Sequence, residues 1–162
     1  MKPGIRRALF LAAGLAVLAA LGWSVRDLEV LRASGEVVLL ELAPADPRSL
    51  MQGDYMRLAY ALERQAISLD APAGTIILAL DARRVGSFRR TGGHGAPGPG
   101  EVAFQVERAA DGVAIEPRSF LFQEGHADLY ARARYGIFRV DRNGRHLLVG
   151  LADADARTIE PR

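Results

Sequence analysis

The sequence predicts a mainly β domain, an antiparallel barrel or sandwich of about seven short strands with one short helix, preceded by an N-terminal transmembrane helix. Three observations carry that expectation. An uncharged apolar run extends from Ala8 to Val25, short alternating apolar segments follow it between Gly, Pro, Asp and Asn, and strand-like and helix-like segments do not alternate. With 162 residues, one domain remains after the helix is subtracted, enough to bury a core without disulfides or metals. No internal repeat is visible.

As a helix, the run from Ala8 to Val25 spans ~27 Å at ~1.5 Å per residue, close to the ~30 Å hydrocarbon thickness of a bilayer. Arg6 and Arg7 flank its start, Trp23 sits near its end, and Arg26 follows. The positive-inside tendency places the N-terminus in the cytoplasm and the domain outside it, in the periplasm of a Gram-negative cell. A cleaved signal peptide is the competing reading. Retention is favoured because the run exceeds the ~7–15 residues of a signal core and Ala20-Leu21-Gly22 is a poor cleavage site. A buried core helix is disfavoured, since no polar face interrupts the run.

Residues 1–25 thus form the tail and anchor, and 26–35 a stalk in which Leu28, Val30 and Leu31 alternate with charge before Ser34-Gly35. The domain occupies 36–152, with 153–162 as a C-terminal tail. Val37 to Leu42 reads as the first strand, ended by Ala43-Pro44. Asp46-Pro47-Arg48-Ser49 suits a type I turn, and Gln52-Gly53-Asp54 bends the chain again. From Tyr55 to Leu62, Met56, Leu58, Tyr60 and Leu62 share one face, as in a strand. Thr75 to Leu80 is the next strand, left through Asp81-Ala82-Arg83-Arg84. Residues 85–100 are rich in Gly, Pro, Arg and Ser and read as a flexible loop. Strand patterning resumes at Val102, Phe104 and Val106, with a hairpin at Asp111-Gly112 and a further strand at Phe120 to Phe122. Ala127, Tyr130, Ala131 and Arg134 have helical spacing, so the domain's helix is placed over Glu124 to Tyr135, stopped by Gly136. Ile137–Val140 and His146–Leu151 flank Asp141-Arg142-Asn143-Gly144, a strong hairpin signal.

Charge and composition exclude several function classes. Of 21 cationic side chains, Lys2, Arg6 and Arg7 precede the apolar run, leaving 18 arginines against 19 carboxylates from Ser24 onward. The domain is near neutral, so the basic face that nucleic acid requires is missing. Lys2 is the single lysine and lies before the span, which excludes a Ser-Lys dyad in the domain. The absence of cysteine excludes thiolate nucleophiles, disulfides and Cys-ligated zinc. No cofactor is expected.

The stretch Gly53-Asp54-Tyr55-Met56-Arg57-Leu58-Ala59-Tyr60, with Asp46-Pro47-Arg48-Ser49-Leu50 before it, resembles the bacterial GDYXXLXY protein family. Glu124-Gly125 ahead of Tyr130, and the segment from Tyr135 through Asp141–Gly144 to Leu151, are similar to the family's C-terminal half. The resemblance implies a small protein anchored in the bacterial inner membrane, accompanying a multi-pass membrane protein. It implies no activity.

The candidate binding residues are therefore Asp46, Arg48, Gly53, Asp54, Tyr55, Leu58, Tyr60 and Glu124. On a functional reading Asp54 and Tyr55 offer a carboxylate and a phenol at a rim, with Arg48 nearby for an anionic group. On a structural reading Gly53 allows a bend, Asp54 satisfies turn amides, and Leu58 and Tyr60 pack in the core. Ser49 lacks a base, because nothing in the sequence brings His94, His126 or His146 near it. These scattered histidines read as solvated surface residues rather than metal ligands. Arg83-Arg84 and Arg89-Arg90 read as charges of a soluble loop rather than a headgroup patch. The favoured function is a non-enzymatic, membrane-tethered domain that contacts lipid through its helix and a membrane protein through Asp46–Tyr60. The alternatives are a hydrolase using Asp54 and Glu124 as an acid/base pair, and a barrel enclosing an apolar ligand.

Overall fold

The computed structural model describes residues 3–43, 51–52, 55–67, 74–92, 96–109 and 112–161. Helix α1 runs unbroken over Pro3–Ser34. Its Phe10–Ser34 stretch of 25 residues is long and apolar enough to cross a membrane, and the most apolar 18-residue window within it is unburied. The helix ends where Ser34 Oγ donates to Val30 O at 2.8 Å and Gly35 N donates to Leu31 O at 2.9 Å. A Cβ on Gly35 would lie 2.5 Å from Leu31 O, so glycine lets the chain turn directly into the first strand.

Strand β1 (Glu36–Glu41) pairs antiparallel with β9 (Tyr135–Val140), which pairs with β10 (His146–Ala152) through a bulge at Leu148/Gly150. A second sheet orders β5 (Gly86–Thr91), β4 (Gly74–Leu80), β6 (Glu101–Ala109) and β7 (Gly112–Ala114). The third comprises β2 (Met51–Gln52), β3 (Tyr55–Arg57) and β8 (Ser119–Leu121). A parallel bridge at Leu39–Val85 and an antiparallel one at Leu42–Tyr60 join these sheets into a half-barrel.

Alternation dictates what fills it. Val38 and Leu40 from β1, Ile76 and Leu78 from β4, and Phe104 from β6 are fully buried. Tyr60 and Phe138 meet at 5.6 Å between ring centroids, and Phe104 meets Phe138 edge-on at 5.5 Å. Burial of each such side chain contributes roughly 1.5–3 kcal/mol. Among the described residues these side chains occupy the interior in which the alternative reading places an apolar ligand, which removes the support for that reading.

Several elements differ from the sequence expectation. Met56, Leu58, Tyr60 and Leu62 are all buried, but the strand ends at Arg57 and helix α2 (Ala61–Ile67) takes over. Leu58 and Leu62 are four residues apart, a spacing that serves either period, so alternation alone hid the change. The Glu63 carboxylate reaches back to Tyr60 N at 3.3 Å, in the manner of a capping box. The 85–100 loop contains strand β5, whose Phe88 packs on the core. Helix α3 covers only Ala127–Tyr130, and Gly136 lies inside β9 instead of stopping a helix. Its Cβ would come within 3.1 Å of Phe138, 3.2 Å of Leu148 and 3.3 Å of Tyr60, so it is small because rings crowd it. The stretch expected as a C-terminal tail, described through residue 161, returns to β10 through an Ala152–Thr158 bridge and buries Ile159.

One turn recurs three times. Asp81, Asp141 and Asp153 each accept two backbone N–H groups on Oδ1, from the residues two and four positions ahead. The residue three positions ahead has a positive φ: Arg84 at 69°, Gly144 at 82° and Ala156 at 62°. This is a three-residue hairpin connection organised by an aspartate.

Candidate functional site

Asp46, Arg48, Gly53 and Asp54, together with Ser49 and His94, lie outside the described residues. The remaining motif residues divide by strand parity. Tyr60 is buried, and its hydroxyl donates to Pro117 O at 2.8 Å. Burial, with the charges of Glu63 and Glu116, pushes its phenol well above the ordinary value, so it stays protonated. Leu58 is buried in the same core, and Ala43 N donates to Ala59 O at 2.7 Å across the strand end. Leu58 and Tyr60 are structural.

Tyr55 is half-buried on the other face of β3, directly opposite Leu121 of β8. Leu121 is 77% exposed, the most exposed large apolar side chain of the β domain among the described residues. Arg57 and Ser119 pair on the same outer face. Glu124 is exposed just past β8, beside Gly125 with φ 84°. Its pairing with Asp54 involves a residue outside the described set.

His146 is not a solvated surface residue. Its ring stacks on Phe104 at 4.0 Å and meets Phe138 edge-on at 5.3 Å. Nε2 lies 3.0 Å from Glu116 O and Nδ1 3.4 Å from Gly144 O. Burial lowers its pKa more than these carbonyls and the nearby Asp141 and Glu107 raise it. His126 is half-buried, and its Nδ1 has no hydrogen-bond partner. No group of three His, Asp or Glu side chains placed to hold a metal occurs among the described residues. The paired arginines are occupied internally: Arg84 with Glu36, Arg90 with Glu101, and Arg83 with the Tyr135 hydroxyl.

The feature that sequence reasoning missed lies where α1 meets the domain. Arg145 Nη1 donates to Asp27 Oδ2 at 2.6 Å while its Nε donates to Asp141 Oδ2 at 2.8 Å. These two carboxylates push the guanidinium pKa further above its already high value. Leu31 is buried, and Arg139 Nη1 donates to Gly35 O at 3.0 Å. The predicted stalk is therefore docked on the β9–β10 hairpin. A groove of about 750 Å³ opens beside this contact, lined by Val30, Leu31 and Ser34 of α1, and by Pro97, Val102 and Val140 of the domain. Spacing could flag Asp141 and Arg145 as hairpin partners, but nothing local couples Asp27 to a residue 118 positions away.

A family model described as GDYXXLXY protein matches residues 17–151, most of the chain including the second half of the apolar run. No curated protein and no solved structure matches the chain.

Proposed function

This chain belongs to the GDYXXLXY protein family, and from that premise we propose that it is a membrane-anchored binding domain serving an integral-membrane partner outside the cytoplasm. The observation that carries the reading is the docking of α1. The apolar helix passes without a break into the contacts of Asp27 with Arg145, Gly35 with Arg139 and buried Leu31 with the domain, which together favour one orientation of the domain relative to the helix axis. A docked mount of this kind suits a domain that must present one face to a neighbour in the same membrane. The Arg6 and Arg7 flank argues for a cytoplasmic N-terminus and a domain in the periplasm of a bacterial cell.

Within the motif region, the outer face of β3 and β8 is the best-supported contact. Tyr55 and Leu121 lie opposite each other there, flanked by Arg57, which joins an apolar centre to a polar edge. Among the described residues of the Asp46–Tyr60 segment this favours Tyr55 and Arg57, since Leu58 and Tyr60 are used in the core.

Site-specific photo-crosslinking in cells tests the reading, with the probe placed in turn at Tyr55, Arg57 and Leu121 and, as a control, at Val149. An adduct with an integral-membrane protein from position 121, lost with Arg57→Glu but not from membranes as a whole, is the expected result. Absence of any integral-membrane adduct from positions 55, 57 and 121 would overturn it.

A further inference from the structure

The groove beside α1 lies at a particular height. Val25 ends the uncharged run, and Asp27 and Val30 follow two and five residues later. At ~1.5 Å per residue they sit ~3 to ~8 Å beyond it, within the headgroup layer of a bilayer. Trp23, seven residues before Val30 and so on the same helix face, is 77% exposed and Val30 52%, so an apolar helix surface leads from the span up to the groove. The groove falls in the ordinary size range of ligand sites, ~300–1,000 Å³.

Its charges are unevenly satisfied. Asp27 and Asp141 are paired with Arg145, Glu36 with Arg84, and Glu101 with Arg90. Arg142, on the exposed hairpin tip at the rim, has no hydrogen bond or ion pair from its side chain among the described residues. The floor is apolar, made by Val30, Leu31, Val102, Ala103 and Val140. One uncommitted guanidinium above an apolar floor, opening at the level of lipid phosphates, is complementary to an amphiphile with a phosphate head.

We propose that this groove binds a glycerophospholipid from the surrounding leaflet, with its phosphate on Arg142 and an acyl chain along Val30, Leu31, Val102 and Val140. The assignment rests on the reading of α1 as a membrane anchor. A bound lipid would extend the interface between helix and domain, adding apolar contact to that of Leu31 beside the Asp27–Arg145 pair.

The test uses the full chain reconstituted in nanodiscs of phosphatidylethanolamine and phosphatidylglycerol, then transferred to detergent for native mass spectrometry. Wild type is expected to retain one phospholipid per chain. Ser34→Trp and Val30→Trp, which fill the groove from α1, should each lower that occupancy at least severalfold with unchanged circular dichroism. Arg142→Gln should weaken retention of phospholipid but leave retention of diacylglycerol, which has no phosphate, unchanged. Inorganic phosphate alone should not bind saturably. The proposal is overturned if wild type retains no lipid or if both tryptophan variants retain it fully. Equal discrimination of diacylglycerol and phospholipid by Arg142→Gln and wild type, or saturable binding of inorganic phosphate, overturns it too. Carbonate extraction of membranes reads the anchor separately: release of the chain into the supernatant means the anchor has failed, whereas a chain that stays in the pellet without bound lipid means the groove has.

Discussion

The guanidinium of Arg145 sits 2.6 Å from the carboxylate of Asp27, a residue 118 positions earlier in the chain. Through this contact the β9–β10 hairpin holds the last turns of α1, and Asp141 on the same hairpin holds Arg145 in place at 2.8 Å. Replacing Asp27 by Ala removes the link but leaves the hairpin's own pair intact. Spin labels on α1 and on the hairpin should then give a broader distance distribution, and proteolysis between residues 26 and 36 should accelerate severalfold. Arg145→Ala should do the same and also loosen the hairpin. An unchanged distribution in both variants would show that Leu31 and the Arg139–Gly35 contact suffice to dock the helix.

The repeated aspartate turn gives opposed predictions at equivalent positions. Gly144 has φ 82°, and a Cβ there would lie 3.1 Å from the backbone of Ala103 and Phe104. Gly144→Ala should therefore cost about 1–3 kcal/mol in denaturant unfolding. Ala156 holds φ 62° with a side chain already present, so Ala156→Gly should relieve strain and stabilise by about 1 kcal/mol. If both substitutions destabilise equally, backbone strain is not what distinguishes these turns.

Tyr60 separates a structural motif from a binding one. Its ring packs against Phe138, and its hydroxyl donates to Pro117 O at 2.8 Å. Tyr60→Phe should cost about 1–3 kcal/mol for the acceptor left buried, and Tyr60→Ala about 3–5 kcal/mol. Partner crosslinking from position 121 should survive Tyr60→Phe, because the phenol does not reach the outer face.

The sequence carried the domain's β character and its core faces because burial imposes a period that a single chain displays. Val38, Leu40, Met56, Leu58, Phe104 and Phe138 sit inside as their alternation requires. Where two periods coincide, as at Leu58 and Leu62, the same pattern concealed the start of α2. Gly86 to Thr91 read as loop because Arg, Ser and Gly dominate it, yet a strand at a half-exposed sheet edge tolerates that composition. The site was less legible. The motif letters mark core positions as much as surface ones, and the Asp27–Arg145 clamp depends on tertiary proximity that no local spacing encodes.

Acid should weaken the fold through His146. The ring is stacked on Phe104, and a carbonyl can only accept, so the neutral ring is held best with its proton on Nε2, facing Glu116 O at 3.0 Å. Burial lowers its pKa below the unfolded value of ~6.5, which means the unfolded chain takes up the proton first. Its contribution to stability is thus complete above ~6.5 and lost as the pH falls from there through the folded pKa. Glu101 acts in a lower window: the Gly98 N–H and Arg90 lower its pKa, so its contribution declines only as the carboxylate is protonated in stronger acid. Urea midpoints measured from pH 7.5 to pH 5 should fall for wild type and stay flatter for His146→Phe, which keeps the stack on Phe104 but cannot titrate. A slope that is unchanged in His146→Phe would assign the acid sensitivity to other groups.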